Sequence, residues 1–143
     1  MFLEKRYFLG FDFGNRYLGV ALGQNITFRA KALLTIETKK KLNWRMLELL
    51  VEKWLPANLV VGLPIRLDGT RYPIAKLAEE FSEELERRFS VEVIRINENY
   101  STIEARHNIF TCHGARGLTP KAINAEAAKI ILDDWLNRLS MRD

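Results

Sequence analysis

"GFDFGNRYLGVAL", residues 10–22, decides how this chain is read. Apolar residues flank Asp12 on both sides, so the stretch reads as a strand that a packed sheet would bury. A carboxylate in such a strand must be hydrogen-bonded, held protonated or neutralised by a cation, because a bare buried charge is costly. Neutralisation by a cation is the option that carries chemistry. The structural alternative is a strand-end carboxylate capping the turn amides of Asn15 and Arg16.

Outward from this stretch, "YFLGFDF" (7–13) and "YLGVALGQ" (17–24) are apolar runs joined by "GNR", which predicts a hairpin. "ITFRAKALLTI" (26–36) follows as a third antiparallel strand. "LNWRMLELLVEKWL" (42–55) has helical spacing and stops at Pro56. "NLVVGL" (58–63) has the continuous apolar pattern of a strand covered on both faces. Pro73 stands near the start of a helix whose stripe is Ile74, Leu77, Ala78, Phe81 and Leu85. "VEVIRI" (91–96) alternates and reads as the last strand. Ser101 and Glu104 form a capping box opening a helix over 101–110, and Thr119–Pro120 opens another to about Leu139. The order β-β-β-α-β-α-β-α-α predicts an α/β fold: a five-stranded mixed sheet with helices on both faces. That order is compatible with a ribonuclease-H-like arrangement with the first strand central.

At 143 residues the chain is expected to form a single domain, 1–143. A net charge of +4 leans toward an anionic partner without requiring one. The lone Cys112 excludes an internal disulfide and suits a reducing compartment. His107 and His113 beside it lack the fourth ligand and the spacing of a zinc site. The opening "MFLEKRYFLG" lacks the apolar run of a signal peptide, and no segment has the ~20 apolar residues of a membrane span. The protein is therefore expected to be soluble and cytoplasmic.

"GFDFGNRYLGVALG", "LVVGLPIRLDGT", "VEVIRINENYSTIEA" and "INAEAAKIILDDWL" resemble, in order, the four blocks of the YqgF (RuvX) family, and the match covers nearly the whole chain. The resemblance implies a ribonuclease-H-like fold and a cytoplasmic bacterial nuclease that processes the 5′ end of precursor 16S ribosomal RNA. RNA is the favoured partner over DNA, with ribosomal precursor particles as the setting; monomer and homodimer both stay open, since a junction resolvase would need a symmetric dimer and RNA trimming would not. Family members have also been proposed as Holliday-junction resolvases. The chemistry agrees: phosphodiester hydrolysis places negative charge on the phosphate and both apical oxygens, and divalent ions held by carboxylates stabilise it. Mg2+ or Mn2+ is the expected cofactor, since such ions take oxygen ligands. Asp12 would anchor the metal, and Glu98, in "NENYS", matches the family's glutamate as the second ligand. With the last strand one strand removed from the first, Glu98 would have to reach inward from a loop across ~9–10 Å.

The chain departs from the pattern at the third acidic position, where it carries Asn124. Asn124, Ala128, Ile131 and Trp135 share one helical stripe, so Asn124 faces the sheet. The resemblance implies a catalytic and metal-binding position there, to which Asn124 can offer a carbonyl oxygen but no charge. Glu126 lies ~200° round the helix, placed to pair with Lys129, which can pair with Asp133. The family's "DER" reads "NEN" here, with Asn97 and Asn99, and the arginine is lost. A nuclease site of reduced charge is expected to be slower or to need more metal.

Arg16, Arg66, Arg71 and Lys121 are the candidate nucleic-acid contacts, with Arg116 near the approach to the last helix. Lys39, Lys40 and Lys41 read as a solvated run, Asp68 as a turn former beside Gly69, and Trp44, Trp54 and Trp135 as core. Two other classes compete. A sugar-kinase or actin-like phosphate hairpin also uses D-x-G but needs a second lobe that this length cannot hold. A weakened module that binds nucleic acid without cutting it would keep the basic surface and fail to cleave.

Overall fold

Tyr7–Phe13 (β1) is the central strand because its run is apolar on both faces up to Asp12: Phe8 is buried on one face and Leu9 and Phe11 on the other. The computed structural model describes residues 4–66, 68–98, 101–114 and 117–142, with the side chains of 101–103 excepted. Tyr17–Gln24 (β2) returns antiparallel to β1, and Arg29–Glu37 (β3) pairs antiparallel with β2. Asn58–Pro64 (β4) runs parallel to β1, and Glu92–Glu98 (β5) runs parallel to β4. The sheet order is β3-β2-β1-β4-β5.

Helices Trp44–Trp54 (α1) and Ile74–Arg88 (α2) cover one face, where Leu9, Phe11, Leu18 and Val20 pack with Leu47, Phe81 and Leu85. Pro120–Ser140 (α4) covers the other, where Phe8, Ala21, Val60 and Ile96 meet Ile131, Leu132, Trp135 and Leu136. Ser101–His113 (α3) packs against α4. Thr119 caps α4 by accepting from the Ala122 N–H at 3.1 Å, with Pro120 in the first turn. The side chain of Ser101, and with it the expected capping box, lies outside the described residues.

Several boundaries differ from those expected from the sequence. β3 begins at Arg29 rather than Ile26, because Gln24 Oε1 accepts from the Ile26 and Thr27 N–H groups and Phe28 turns left-handed at φ 56°. β5 runs on to Glu98, paired with Pro64, so Glu98 ends a strand rather than standing in a loop. Helix α3 continues to His113. The three tryptophans pack, but in different layers: Trp44 and Trp54 against the α1 and α2 core, Trp135 edge-on to Phe8 beneath α4.

Helix α4 crosses the sheet where side chains are missing. A β-carbon on Gly10 would come within 2.7 Å of Leu132 Cβ, and one on Gly23 within 2.7 Å of Leu136 Cδ1. One on Gly19 would overlap the backbone carbonyl of Asn124. The Ala30 N–H of the edge strand donates to Asp133 Oδ1 at 2.8 Å and ties α4 to β3. Asp133 is held by the sheet, while Lys129 pairs with Glu126 at 3.5 Å and its charge also acts on Asp133. Among the described residues no helix is long and apolar enough to cross a membrane.

Candidate active site

Asp12 is the penultimate residue of β1, on the face covered by α4. The chain turns immediately afterwards, with the Gly14 N–H donating to the Tyr17 carbonyl at 3.0 Å. Asn124, in the second turn of α4, donates its Nδ2–H to Asp12 Oδ2 at 2.7 Å. Two glycines make room for it: a β-carbon on Gly14 would sit 2.7 Å from Asn124 Nδ2, and Gly19 yields to the Asn124 carbonyl. Among the described residues this bond, rather than the amides of Asn15 or Arg16, is the hydrogen bond made to the Asp12 carboxylate. Burial pushes the Asp12 carboxyl up to about 6, and the Asn124 hydrogen bond opposes part of that rise.

Glu98 occupies the same sheet face as Ile94 and Ile96, two positions nearer the strand end. Its carboxyl group lies with acidic company: Asp134 and Glu104 stand near, with Arg138 the opposing cation. Burial first, then a hydrogen bond to Asp134 and its charge, push Glu98 up to about 8. Among the described residues, the buried Oε1 of Glu98 has no hydrogen-bond partner of its own. A cleft of about 340 Å3 is lined here by Glu98, Glu104, Asp133, Asp134 and Asn137.

The structure thus joins Asp12 to Asn124 and places Glu98 beside Asp134, which lies ~15 Å further along α4 from Asn124. Two strand spacings and two residues of register separate the backbones of Asp12 and Glu98, ~12 Å in all. No group of three or more His, Cys, Asp or Glu side chains converges to hold a metal among the described residues. Cys112, His107 and His113 are all exposed.

Arg16 and Lys121 meet around one aromatic ring. The Arg16 guanidinium carbon lies 6.0 Å, and Lys121 Nζ 5.5 Å, from the centroid of Tyr17. The Arg16 carbonyl meanwhile accepts from the Thr38 N–H at 2.9 Å and fixes the turn. Arg66 stacks on Tyr72 at 4.8 Å, and Arg71 lies in a small bridge with Ile65. That loop adjoins β5, since the Ile65 N–H donates to the Glu98 carbonyl at 3.3 Å. Asp68 forms a turn, accepting from both the N–H and the hydroxyl of Thr70. Lys39, Lys40 and Lys41 are exposed. Arg116 and Asn99 lie outside the described residues.

Tyr17 and Asp134 escaped the sequence reading. Tyr17 looks like any strand residue until the turn and the start of α4 bring two cations to its ring. Asp134 left a trace in the sequence: Ile130, Asp134 and Asn137 form a helical stripe in which an apolar residue gives way to polar ones.

The family model described as "RuvX: Holliday junction resolvase" matches residues 6–138. Proteins of Yersinia enterocolitica and Yersinia pestis, each named as a candidate pre-16S rRNA nuclease, are 38% identical over 136 residues, covering 94% of this chain and 97% of theirs. Among solved structures, Thermus thermophilus RuvC in complex with a Holliday junction substrate superposes with TM-score 0.55 at 16% identity, over 94% of this chain and 96% of that one. RuvC without substrate gives 0.53 at 14% identity over the same shares. At such identities the likeness is one of fold, and that fold is ribonuclease-H-like.

Proposed function

The chain belongs to the RuvX family, and from that membership we propose that it is a divalent-metal-dependent nuclease acting on precursor 16S ribosomal RNA. The observation that carries the proposal is the partly buried Asp12 carboxylate on the central strand, with Asn124 hydrogen-bonded to it at 2.7 Å.

The donors suit a hard cation. Asp12 offers carboxylate oxygens, and Asn124 keeps Oδ1 free for a ligand while Nδ2 is spent on Asp12. Glu98, whose buried Oε1 has no partner among the described residues, offers a further oxygen donor beside Asp134, separated from Asp12 by ~12 Å of backbone. Mg2+ or Mn2+, when bound, supplies charge stabilisation to the attacked phosphate and its apical oxygens. The remaining work belongs to the protein. The Asn124 N–H fixes the Asp12 carboxylate in one orientation, and the Gly14–Gly19 gap fixes Asn124. Arg16 and Lys121, flanking Tyr17, hold the RNA backbone on one side of Asp12. Arg66 and Arg71 hold it beside Glu98. Asn124 adds no charge where the family resemblance puts a carboxylate, which favours slow cleavage or a high metal requirement.

The test is incubation of the purified protein with a precursor 16S RNA carrying its 5′ extension, in Mg2+ and separately in Mn2+. Shortening at the 5′ end that vanishes in Asp12→Asn is expected. RNA binding without cleavage in either metal would replace the enzyme with a binding module. Preferential cutting of branched DNA would favour the junction-resolvase activity in the family model's description.

A further inference from the structure

At the end of the sheet remote from Asp12, a cleft of about 360 Å3 opens beside the start of β1, lined by Lys5, Tyr7, Gln24, Arg29, Lys31 and Trp54 among others. Its two aromatic rings stand 5.2 Å apart at 60° and are only partly buried. Lys5 Nζ lies 5.1 Å from the Tyr7 centroid, and Lys53 Nζ lies 5.2 Å from that of Trp54. Among the described residues no carboxylate lines the cleft. Among the described residues none of Lys5, Arg29, Lys31 or Lys53 is in an ion pair, whereas Arg45, Arg88, Arg95 and Arg138 all are. Lys5, Lys31 and Lys53, gathered round two aromatic faces beside Arg29, which also feels the Asp133 carboxylate, repel one another, and a polyanion with stackable bases relieves that repulsion.

The place is distinct from the proposed active site. Tyr7 is five residues from Asp12 along β1, ~17 Å, and packs toward the α1 side while Asp12 faces α4. We propose that this cleft is a second nucleic-acid site that holds a single-stranded RNA segment. Lys5, Arg29, Lys31 and Lys53 contact its phosphates, and a base stacks on the open parts of Tyr7 and Trp54. A single strand fits better than a duplex, because stacking on a side chain needs an unpaired base. The inference borrows from the nuclease reading only the class of partner.

The experiment uses the full chain carrying Asp12→Asn, so that binding is measured without cleavage. A fluorescent oligouridine of about 12 nucleotides is titrated by anisotropy at increasing KCl, with and without Lys31→Glu plus Lys53→Glu. The reversal is expected to weaken binding about 10-fold near 0.1 M salt and to flatten the log–log salt slope by ~1.4, or ~0.7 per lost phosphate contact. Photocrosslinks from 4-thiouridine should map to Tyr7 or Trp54. Should the reversed chain fail to fold by circular dichroism, Lys31→Gln plus Lys53→Gln replaces it, with the same slope change expected. Unchanged affinity and slope, crosslinks confined to the start of α4, or capture of an acidic peptide in preference to RNA would each overturn the proposal. A wild-type chain that never cleaves RNA yet shows the predicted salt slope would sink the nuclease reading and leave this one standing.

Discussion

Asn124 Nδ2 sits 2.7 Å from Asp12 Oδ2, so the central carboxylate has a hydrogen-bond partner on α4. Replacing that donor by an acceptor reverses the relationship. In Asn124→Asp two carboxyls share one proton, the metal-free protein loses stability at neutral pH, and the site gains a negative charge. Mn2+ affinity by calorimetry is expected to rise about 10-fold or more, with a larger metal-induced rise in Tm. Equal affinity in the two proteins would show that position 124 does not touch the ion.

The raised Asp12 carboxyl makes the metal-free fold lose stability as pH climbs. Its folded value is about 6 against an ordinary 3.8, so the folded state holds the proton more tightly than the unfolded one. The contribution is full below about 3.8 and is gone above about 6. Asp12→Asn removes the dependence and should stabilise the metal-free protein at pH 7 by about 1–3 kcal/mol, measured by urea unfolding.

Glu98 extends the same trend upward. Burial and Asp134 raise it to about 8 from 4.5, so its contribution is lost as pH rises through about 8. In metal-free protein, Glu98→Gln is expected to flatten Tm between pH 5 and 9 while leaving the Asp12 window in place. A Tm profile in Glu98→Gln identical to wild type would refute the placement of this carboxyl against Asp134.

Gly19→Ala tests the close approach of α4. The added methyl group overlaps the Asn124 carbonyl, a backbone atom that moves only if the start of α4 moves. A loss of at least about 1–3 kcal/mol is expected, together with weaker metal binding because Asn124 shifts with its backbone. Gly69→Ala, where a β-carbon would meet nothing but φ is +89°, should cost stability without altering metal binding.

Much of the fold was legible because local chemistry and tertiary demand coincide. The β1 run is apolar on both faces, and the buried centre of a mixed sheet needs that. Thr119–Pro120 announced the start of α4, and the structure caps it there. The ends of elements were less legible. Ile26 and Thr27 have strand-like side chains, but Gln24 captures their amides in a turn. Asn124 could be assigned to the sheet-facing stripe of its helix from periodicity alone, yet its partner could not be read from helix phase.

The amino-acid order by itself determined the strands and helices, the burial of Asp12 and the family, since apolar periodicity, caps and motif spacing are written along the chain. Tertiary packing alone decided that Asn124 bonds to Asp12, that Glu98 lies against Asp134, and that Lys5, Lys31 and Lys53 ring one aromatic cleft. Where a side chain turns, and what charge it then meets, depends on groups brought near through space from distant parts of the chain. Electrostatic and desolvation energies follow those distances, and no linear pattern encodes them.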